Sequence, residues 1–266
     1  FLSKQGKQAN SLFNIATKAS IFSDPETGKR GFNNEGAHLE EELDKSLKRM
    51  GLDCVDLFYV HRRDHNIEIE EVTESLANLV KKGKTKSIGY SEIAPSSLKR
   101  ASAIHHIAAV QSEYSLSTRA PEMGLVQACE ELGTALVAFS PVGRTFLTDS
   151  PLSYDFAQTL DFTKVNPRFK QPNYDKNIII SDKFRKYSKD SGIASATLSI
   201  AWLLAKSESI IPIPGTRSVK HLHELAAAME VDVTDKMMSE IESILPLGWA
   251  YGDRYSDAQW IGPERY

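Results

Sequence analysis

The segment IPIPGTRS (residues 211–218) has the clearest chemistry in the sequence. A Pro-Gly turn leads directly into the start of a helix, where free backbone N–H groups and the helix dipole favour an anion. Arg217, together with Lys220, can add charge-assisted hydrogen bonds to a phosphate. Thr216 and Ser218 are also ordinary helix-capping residues. The motif alone therefore leaves phosphate binding and simple capping as alternatives.

Several polar or aromatic residues that could form a functional site lie at the ends of short apolar runs. In a parallel β/α barrel, functional groups lie where the strands end, so these residues are predicted to share one face of the protein. In chain order they are Lys18, His61, Ser91, Glu92, Gln111, Phe139 and Ser140. From pattern alone, Lys18 could be a surface lysine and His61 a core histidine. The pair Arg62 and Arg63 is predicted to form a solvated rim or to pair with Asp64.

The elements that position these residues alternate along the chain. The predicted strands are Leu12–Ala16, Cys54–Val60, Thr85–Gly89, Ala108–Gln111, Ala135–Phe139 and Ile210–Ile213. The predicted helices are Leu39–Met50, Ile69–Lys82, Ser96–Ser102, Glu122–Leu132, Ser181–Ser191, Ala194–Ala205 and Val219–Met229. Repeated strand–helix units imply right-handed crossovers and a parallel sheet. We predict an α/β protein with a TIM-type parallel (β/α) barrel in one domain over residues 1–266. A doubly wound sheet is the alternative, but its usual glycine-rich turn does not follow the first strand.

The number of β/α units is lower than a closed barrel requires. Roughly six units are recognisable where a barrel of this type has about eight. A missing N-terminal portion, a covering partner chain or a distorted barrel would each explain this, and we favour the first, with two strands lying upstream of Phe1. Residues 144–177 are predicted to be a long rim loop and a candidate active-site lid. The aromatic-rich tail, residues 246–266, could be a pocket wall, an oligomer contact or disordered.

Composition narrows the class of protein. The formal net charge is −3, which argues against a nucleic-acid or anionic-membrane surface. The two cysteines, Cys54 and Cys129, lie in apolar or helical runs, which favours buried thiols in a reducing compartment. No apolar run has membrane-spanning length and no signal peptide is recognisable, so a cytoplasmic protein is predicted. His221 and His223 have no metal-ligand companions, and no metal site is predicted.

Taken together, these stretches resemble the aldo-keto reductase family. The resemblance covers nearly the whole chain, and its order and spacing are specific. The motifs are IATK, SLKRMGLDCVDLFYVHR, GKTKSIGYSE, AAVQSEYSL, ELGTALVAFSPVGRTFLT, IPIPGTRSVKHLHEL and GDRY. The SE after the third predicted strand and the GDRY near the end resemble the branch that includes perakine reductase and its bacterial relatives.

This resemblance implies reduction of an aldehyde or ketone by NADPH. In the family, the nicotinamide delivers a hydride to the carbonyl carbon, and a tyrosine protonates the oxygen. A lysine paired with an aspartate lowers the pKa of that tyrosine, and a histidine orients the carbonyl. Lys18 matches the lysine and His61 matches the histidine.

The same resemblance implies which residues bind NADPH (NADP+). Ser91, Glu92 and Gln111 match residues that contact the nicotinamide carboxamide. Phe139, where the family more often has tyrosine, would stack on the nicotinamide ring. The pyrophosphate would be lined by Ser140, Pro141, Val142, Gly143 and Arg144. The adenosine end would be held by Gly215, Thr216, Arg217, His221 and Glu224.

The tyrosine and aspartate of the family have no match in this sequence. In relatives they precede the helix that corresponds to Phe1–Gly6, so both are expected upstream of Phe1. A non-catalytic NADP(H)-binding protein is the main alternative. A second is an unrelated barrel in which Lys18 forms a Schiff base. The expected partner is a small-molecule carbonyl substrate, and the sequence is compatible with a homo-oligomer.

Overall fold

The computed structural model of the protein describes residues 2–5, 8–23 and 26–265. Its internal packing separates two compact units. The first unit runs to Ser112 and adds Gln127–Leu136 and the residues from Gly262 onward. The second unit contains Glu113–Val126 and Val137–Ile261. The prediction of one domain over residues 1–266 stays a prediction, and so do the expectations for Phe1, Gly6 and Tyr266, which lie outside the described residues.

Strands form one larger sheet and one hairpin in the described part of the chain. Their bounds are β1 Ala16–Ala19, β2 Ile21–Ser23, β3 Arg30–Phe32, β4 Val55–Val60, β5 Thr85–Ser91, β6 Ala109–Glu113, β7 Ala135–Phe139 and β8 Ile210–Ile213. The larger sheet has the order β1-β4-β5-β6-β7-β8. Its first three pairings are parallel, whereas β2 and β3 are antiparallel. The predicted parallel sheet with interspersed helices is confirmed.

The predicted strands differ in how well they match. The bounds of β7 and β8 are those predicted. The prediction of a strand over Leu12–Ala16 is wrong, because Leu12 ends a helix and the strand begins at Ala16. Leu12 and Phe13 are about half exposed, so this apolar run is not a buried strand. The hairpin of β2 and β3 was not predicted.

Helices alternate with the strands of the larger sheet. Their bounds are α1 Leu2–Gln5, α2 Ala9–Leu12, α3 Gly36–Met50, α4 Ile69–Lys81, α5 Pro95–Ile104, α6 Leu125–Leu132, α7 Tyr154–Thr159, α8 Asn173–Asp190, α9 Ser195–Lys206, α10 Val219–Ala226 and α11 Asp235–Ile244. In α3, Leu39, Leu43 and Leu47 recur every four residues and are buried, as expected for an amphipathic helix packed on a sheet. None of the helices in the described part of the chain has the length and apolar character to cross a membrane.

The rim segment, residues 144–177, is structured, so its prediction as a loop without regular elements is wrong. It contains α7 and the start of α8. Phe146, Ala157, Phe169 and Tyr174 form a buried apolar cluster, and the rings of Phe146 and Phe169 have centroids 4.7 Å apart. These residues follow no helical or strand period, which explains why a pattern-based prediction missed them.

The C-terminal tail is packed within the described residues. Trp249 and Tyr255 are buried, and Nε1 of Trp249 donates a hydrogen bond to the Leu116 carbonyl oxygen over 2.7 Å. The alternative of a disordered tail is therefore wrong for this part of the chain. The pocket-wall and oligomer-contact alternatives remain predictions.

Gly89, within β5, lies between residues of the two neighbouring strands, β4 and β6. A Cβ atom at this position would lie 2.6 Å from the carbonyl oxygen of Ala109 and 2.7 Å from two ring carbons of Tyr59. Real Cβ atoms do not make such contacts. The strand can therefore pass between its neighbours only because residue 89 has no side chain.

We predict that Gly89→Ala destabilises the protein by about 1–3 kcal/mol, the usual cost of overpacking a core. Urea unfolding followed by circular dichroism measures it. Gly215→Ala is the matched control, because a Cβ at Gly215 meets no atom within 4 Å. Equal unfolding midpoints for the two variants would contradict the prediction.

Candidate active site

Four neighbouring strands of the first unit carry the residues predicted for the reacting end of the site. Lys18 lies on β1, and His61 directly follows β4. Ser91 ends β5, and Gln111 lies within β6. Strand pairing places Lys18 opposite Tyr59 and Ser91 opposite Gln111. Because the strands are parallel and adjacent, their C-terminal ends bring these side chains to one edge of the sheet.

Lys18 is the central charged group of this edge. Its Nζ donates a hydrogen bond to Oε1 of Gln111. Burial lowers the pKa of Lys18 to about 8, and the nearby Arg62 guanidinium acts in the same direction. The Glu92 carboxylate opposes both effects. Lys18 is therefore an ammonium whose proton is held less tightly than that of an exposed lysine.

His61 is an uncharged imidazole at neutral pH. Burial is the main cause that lowers its pKa to about 3, followed by the positive charges of Lys18, Arg62 and Arg30. Its backbone N–H donates to the Ala19 carbonyl oxygen over 2.8 Å, which fixes the end of β4 against β1. A neutral imidazole beside an ammonium can donate one hydrogen bond to a carbonyl oxygen and orient it.

Arg62 is a buried component of the site that the sequence did not reveal. The prediction of a solvated rim at Arg62 and Arg63 is wrong, since both are less than 10% exposed. Nη1 of Arg62 donates to Oγ of Ser91 over 3.1 Å and to the His61 carbonyl oxygen over 2.7 Å. A run of two arginines after a strand carries no signal that distinguishes burial from exposure.

Glu92 follows β5 in an unusual backbone conformation. It is 1% exposed, and its φ of 59° lies in the left-handed region that side chains rarely adopt. Its N–H donates to the Gln111 carbonyl oxygen over 2.9 Å, and its own carbonyl oxygen accepts from the N–H of Glu264 over 2.8 Å. Packing and hydrogen bonds on both sides thus impose this conformation, as is common at functional sites.

The loop after β7, residues 140–145, belongs to the second unit and contains a cluster of left-handed residues. Ser140, Gly143, Arg144 and Thr145 have φ values of 52°, 58°, 53° and 84°. A Cβ at Gly143 would lie 2.8 Å from Oγ of Ser117, so glycine is required there for space as well as conformation. Four such residues within six positions indicate a backbone shaped by its surroundings.

Three arginines of the second unit surround one buried carboxylate. Glu113 at the end of β6 is fully buried and pairs with the Arg144 guanidinium. Nη1 of Arg168 lies 3.8 Å from its Oε1, and Nη1 of Arg254 lies 3.6 Å from its Oε2. Burial lowers the pKa of Arg168 to about 10, against the opposing charge of Glu113. This Glu113 cluster joins β6, the loop after β7, the rim segment and the tail.

Arg144, predicted to line a pyrophosphate, is held tightly in this cluster. Its guanidinium carbon lies 4.2 Å from the ring centroid of Phe162 and 5.2 Å from that of Tyr255, which are cation–π distances. The remaining residues predicted for the pyrophosphate belong to the same loop. Oγ of Ser199 donates to the Pro141 carbonyl oxygen over 2.8 Å, which holds the loop against α9.

The start of α10 borders a cavity of about 290 Å³ in the second unit. Gly215, Thr216, His221 and Glu224, all predicted for the adenosine end, line it together with Lys220. Its wall also contains Val142, Thr145, Thr148, Asp149, Ser150, Ala196 and Leu225.

The same helix start also shows the capping interaction. Oγ of Ser218 accepts from the His221 N–H over 3.4 Å, so Ser218 is the N-cap of α10. Arg217 is exposed. Lys220 is 82% exposed and lies 3.7 Å from Glu224. The capping and anion-binding alternatives are therefore compatible, because capping is done by Ser218 while Thr216 and Lys220 line the cavity.

We predict that Glu113→Gln destabilises the protein by about 3–5 kcal/mol, because it leaves buried guanidinium groups without their carboxylate. Urea unfolding measures the change. Asp190→Asn is the matched control, since it removes a carboxylate from an exposed pair with Lys186 and should cost about 1 kcal/mol or less. Similar losses in the two variants would contradict a compensating role for Glu113.

Comparison with known proteins identifies related sequences. A model of the aldo/keto reductase family matches residues 1–246. The chain is 39% identical over 255 residues to aldo-keto reductase yakc (NADP(+)) of Schizosaccharomyces pombe, covering 95% of this chain and 75% of that protein. It is 38% identical over 246 residues to probable aldo-keto reductase 1 of Glycine max, covering 91% and 69%.

Solved structures show the same fold. The glycerol dehydrogenase AKR11B4 from Gluconobacter oxydans aligns with a TM-score of 0.76 at 22% identity, over 91% of this chain and 76% of that one. A thermostable aldo-keto reductase, Tm1743, solved with the inhibitor epalrestat, aligns with a TM-score of 0.66 at 24% identity and the same coverages. The predicted TIM-type barrel fold class is thereby confirmed. With the family match over residues 1–246 and relatives 38–39% identical, the chain belongs to the aldo/keto reductase family.

Proposed function

We propose that this protein reduces aldehydes or ketones to alcohols with NADPH as the hydride donor. The observation that carries the proposal is the placement of the Lys18 ammonium and the neutral His61 imidazole at adjacent strand ends. Family membership supports this reaction class, and the name of the S. pombe relative includes NADP(+).

The roles proposed for the reacting end follow from charge. When bound, the cofactor would supply a hydride to the carbonyl carbon. His61, being uncharged, would donate a hydrogen bond that orients the carbonyl oxygen. Lys18 would favour the negative charge that develops on this oxygen. Partial burial of both groups strengthens these effects, because little water screens them.

Each unit contains residues whose chemistry fits one part of the cofactor. Ser91, Glu92 and Gln111 would contact the carboxamide, and Phe139 would stack on the nicotinamide ring. Ser140–Arg144 would line the pyrophosphate. The cavity at the start of α10 is lined by Thr216 and Lys220, whose hydroxyl and ammonium suit the 2′-phosphate of adenosine, together with the carboxylate residues Asp149 and Glu224.

In the proposed reaction the proton donor is the family's tyrosine, a role that no tyrosine of this sequence matches. Tyr59 lies beside Lys18, but burial raises its pKa to about 12. A phenol with a raised pKa is a weaker acid at neutral pH than a free tyrosine. Tyr59 is therefore assigned no part in proton donation.

A non-catalytic NADP(H)-binding protein is the second candidate. The observation that favours it is the partner of Lys18, which is the Gln111 side chain. In the family the lysine is paired with an aspartate, whereas the hydrogen-bond acceptor described for Lys18 is an amide. This candidate predicts NADPH binding with trace reduction only.

We predict that the full gene product oxidises NADPH in the presence of aldehydes, and that Lys18→Met lowers kcat by about 100-fold or more. Absorbance at the NADPH band measures turnover, and NADPH fluorescence measures binding. Lys18→Met should keep cofactor binding within a few-fold. Binding by the wild-type protein without turnover would favour the second candidate, and absence of both would exclude the two functions.

We predict that Lys220→Gln raises the Kd for NADPH about tenfold, since one charge-assisted bond to a phosphate is lost. The Kd for NADH should not change, because NADH lacks the 2′-phosphate. Lys236→Gln is the matched control, as Lys236 is equally exposed and also pairs with a glutamate four residues on. Equal weakening of NADPH and NADH would contradict this assignment.

A further inference from the structure

Tyr59 is a buried tyrosine of the first unit for which the proposed function has no use. It lies on β4, opposite Lys18 of β1 and Gly89 of β5, and is 2% exposed. Nζ of Lys18 lies 5.4 Å from the centroid of its ring. A hydroxyl in such a buried place needs a hydrogen-bond partner.

The partner lies two strands away, on β6. The ring of Tyr59 occupies the space that a side chain at Gly89 would take, since a Cβ there would be 2.7 Å from two ring carbons. The Tyr59 ring thus extends across β5 toward β6, and hydrogen bonding with the Gln111 side chain lowers the pKa of Tyr59 against the larger effect of burial. The glycine is thus what permits a contact between β4 and β6.

Gln111 is held from two sides. Its Oε1 accepts a hydrogen bond from Nζ of Lys18, and its side chain also bonds to Tyr59. A primary amide has both a carbonyl acceptor and N–H donors, so one side chain can serve two partners. The direction in which Gln111 presents its oxygen to Lys18 is therefore tied to the Tyr59 hydroxyl.

We propose that Tyr59 is a positioning residue for Lys18, acting through Gln111 across the gap left by Gly89. This inference rests on the proposed function in one respect only, which is that carbonyl reduction uses the positive charge of Lys18. The placement of that ammonium rests on the contacts above.

A consequence for the charge of Lys18 follows. A hydrogen bond accepted from an ammonium stabilises the charged form and raises the pKa of the amine. Without the Tyr59 hydroxyl, Gln111 loses one of its two restraints and its bond to Lys18 weakens. The other groups that face Lys18 are Arg62, Glu92 and His61, and they remain in place when only this hydroxyl is removed.

The test is Tyr59→Phe, which removes the hydroxyl and keeps the ring beside Lys18. The pKa of Lys18 is measured by NMR titration of protein labelled with ¹³C at the lysine ε-carbon, with Lys18→Arg to assign the signal. We expect the pKa of Lys18 to be lower in Tyr59→Phe than the value that the same titration gives for the wild-type protein. Gln111→Met, which removes the acceptor itself, should lower it further.

Tyr90→Phe is the matched control. Tyr90 lies on the adjacent strand β5, is 0% exposed, and its hydroxyl is hydrogen-bonded to that of Thr73 at 2.7 Å. Losing this bond destabilises the protein in a comparable way without touching Gln111, so the pKa of Lys18 should not change. An unchanged pKa in Tyr59→Phe, or an equal fall in Tyr90→Phe, would overturn the proposal.

The titration needs neither cofactor nor substrate, so it separates the two claims. Should the protein fail to reduce carbonyls while the pKa of Lys18 falls only in Tyr59→Phe and Gln111→Met, the positioning role stands and the proposed function fails. Should turnover be observed while Tyr59→Phe leaves that pKa unchanged, the proposed function stands and the positioning role fails.

Discussion

The first unit depends on one constraint, which is that Lys18 stays charged although it is partly buried. Burial and the Arg62 guanidinium both act against the charge of Lys18, and the Glu92 carboxylate acts for it. The balance lowers the pKa of Lys18 to about 8. Burial is the main cause that keeps His61 uncharged, and the positive charges of Lys18 and Arg62 act in the same direction. A site of this kind offers one cation and one neutral hydrogen-bond donor side by side, which suits an oxygen that gains negative charge during a reaction.

The second unit buries an excess of positive charge around a single carboxylate. Glu113 lies among Arg144, Arg168 and Arg254, each of which belongs to a different segment. Because a buried guanidinium is costly without a carboxylate, the loop after β7, the rim segment and the tail all depend on one side chain. Aromatic rings stacked on two of these guanidinium groups add to this dependence.

Much of the fold and part of the site could be predicted from the sequence. Strand ends could be recognised because buried parallel strands are apolar throughout, so Lys18, His61 and Gln111 were predicted at the correct edge of the sheet. The same criterion failed at Leu12 and Phe13, because they are apolar yet exposed. The apolar residues in the core of the rim segment follow no helical or strand period. The buried Arg62 donates a hydrogen bond to Ser91, which is distant in sequence. The roles of Glu113 and Tyr59 depend on partners in other segments of the chain, which no sequence pattern indicates.

Because Gly89 has no side chain, the residues allowed at positions 59 and 89 depend on each other, in evolution as in protein engineering. Residues 59 and 89 share one volume, with the tyrosine ring filling what the glycine leaves empty. A substitution at either position changes the space available to the other, so the two positions are constrained to vary as a pair. A homologous protein with a larger residue at the position of Gly89 would need a smaller residue at that of Tyr59 and also a shift of the backbone at Ala109, and its glutamine and lysine would then lack the tyrosine hydroxyl.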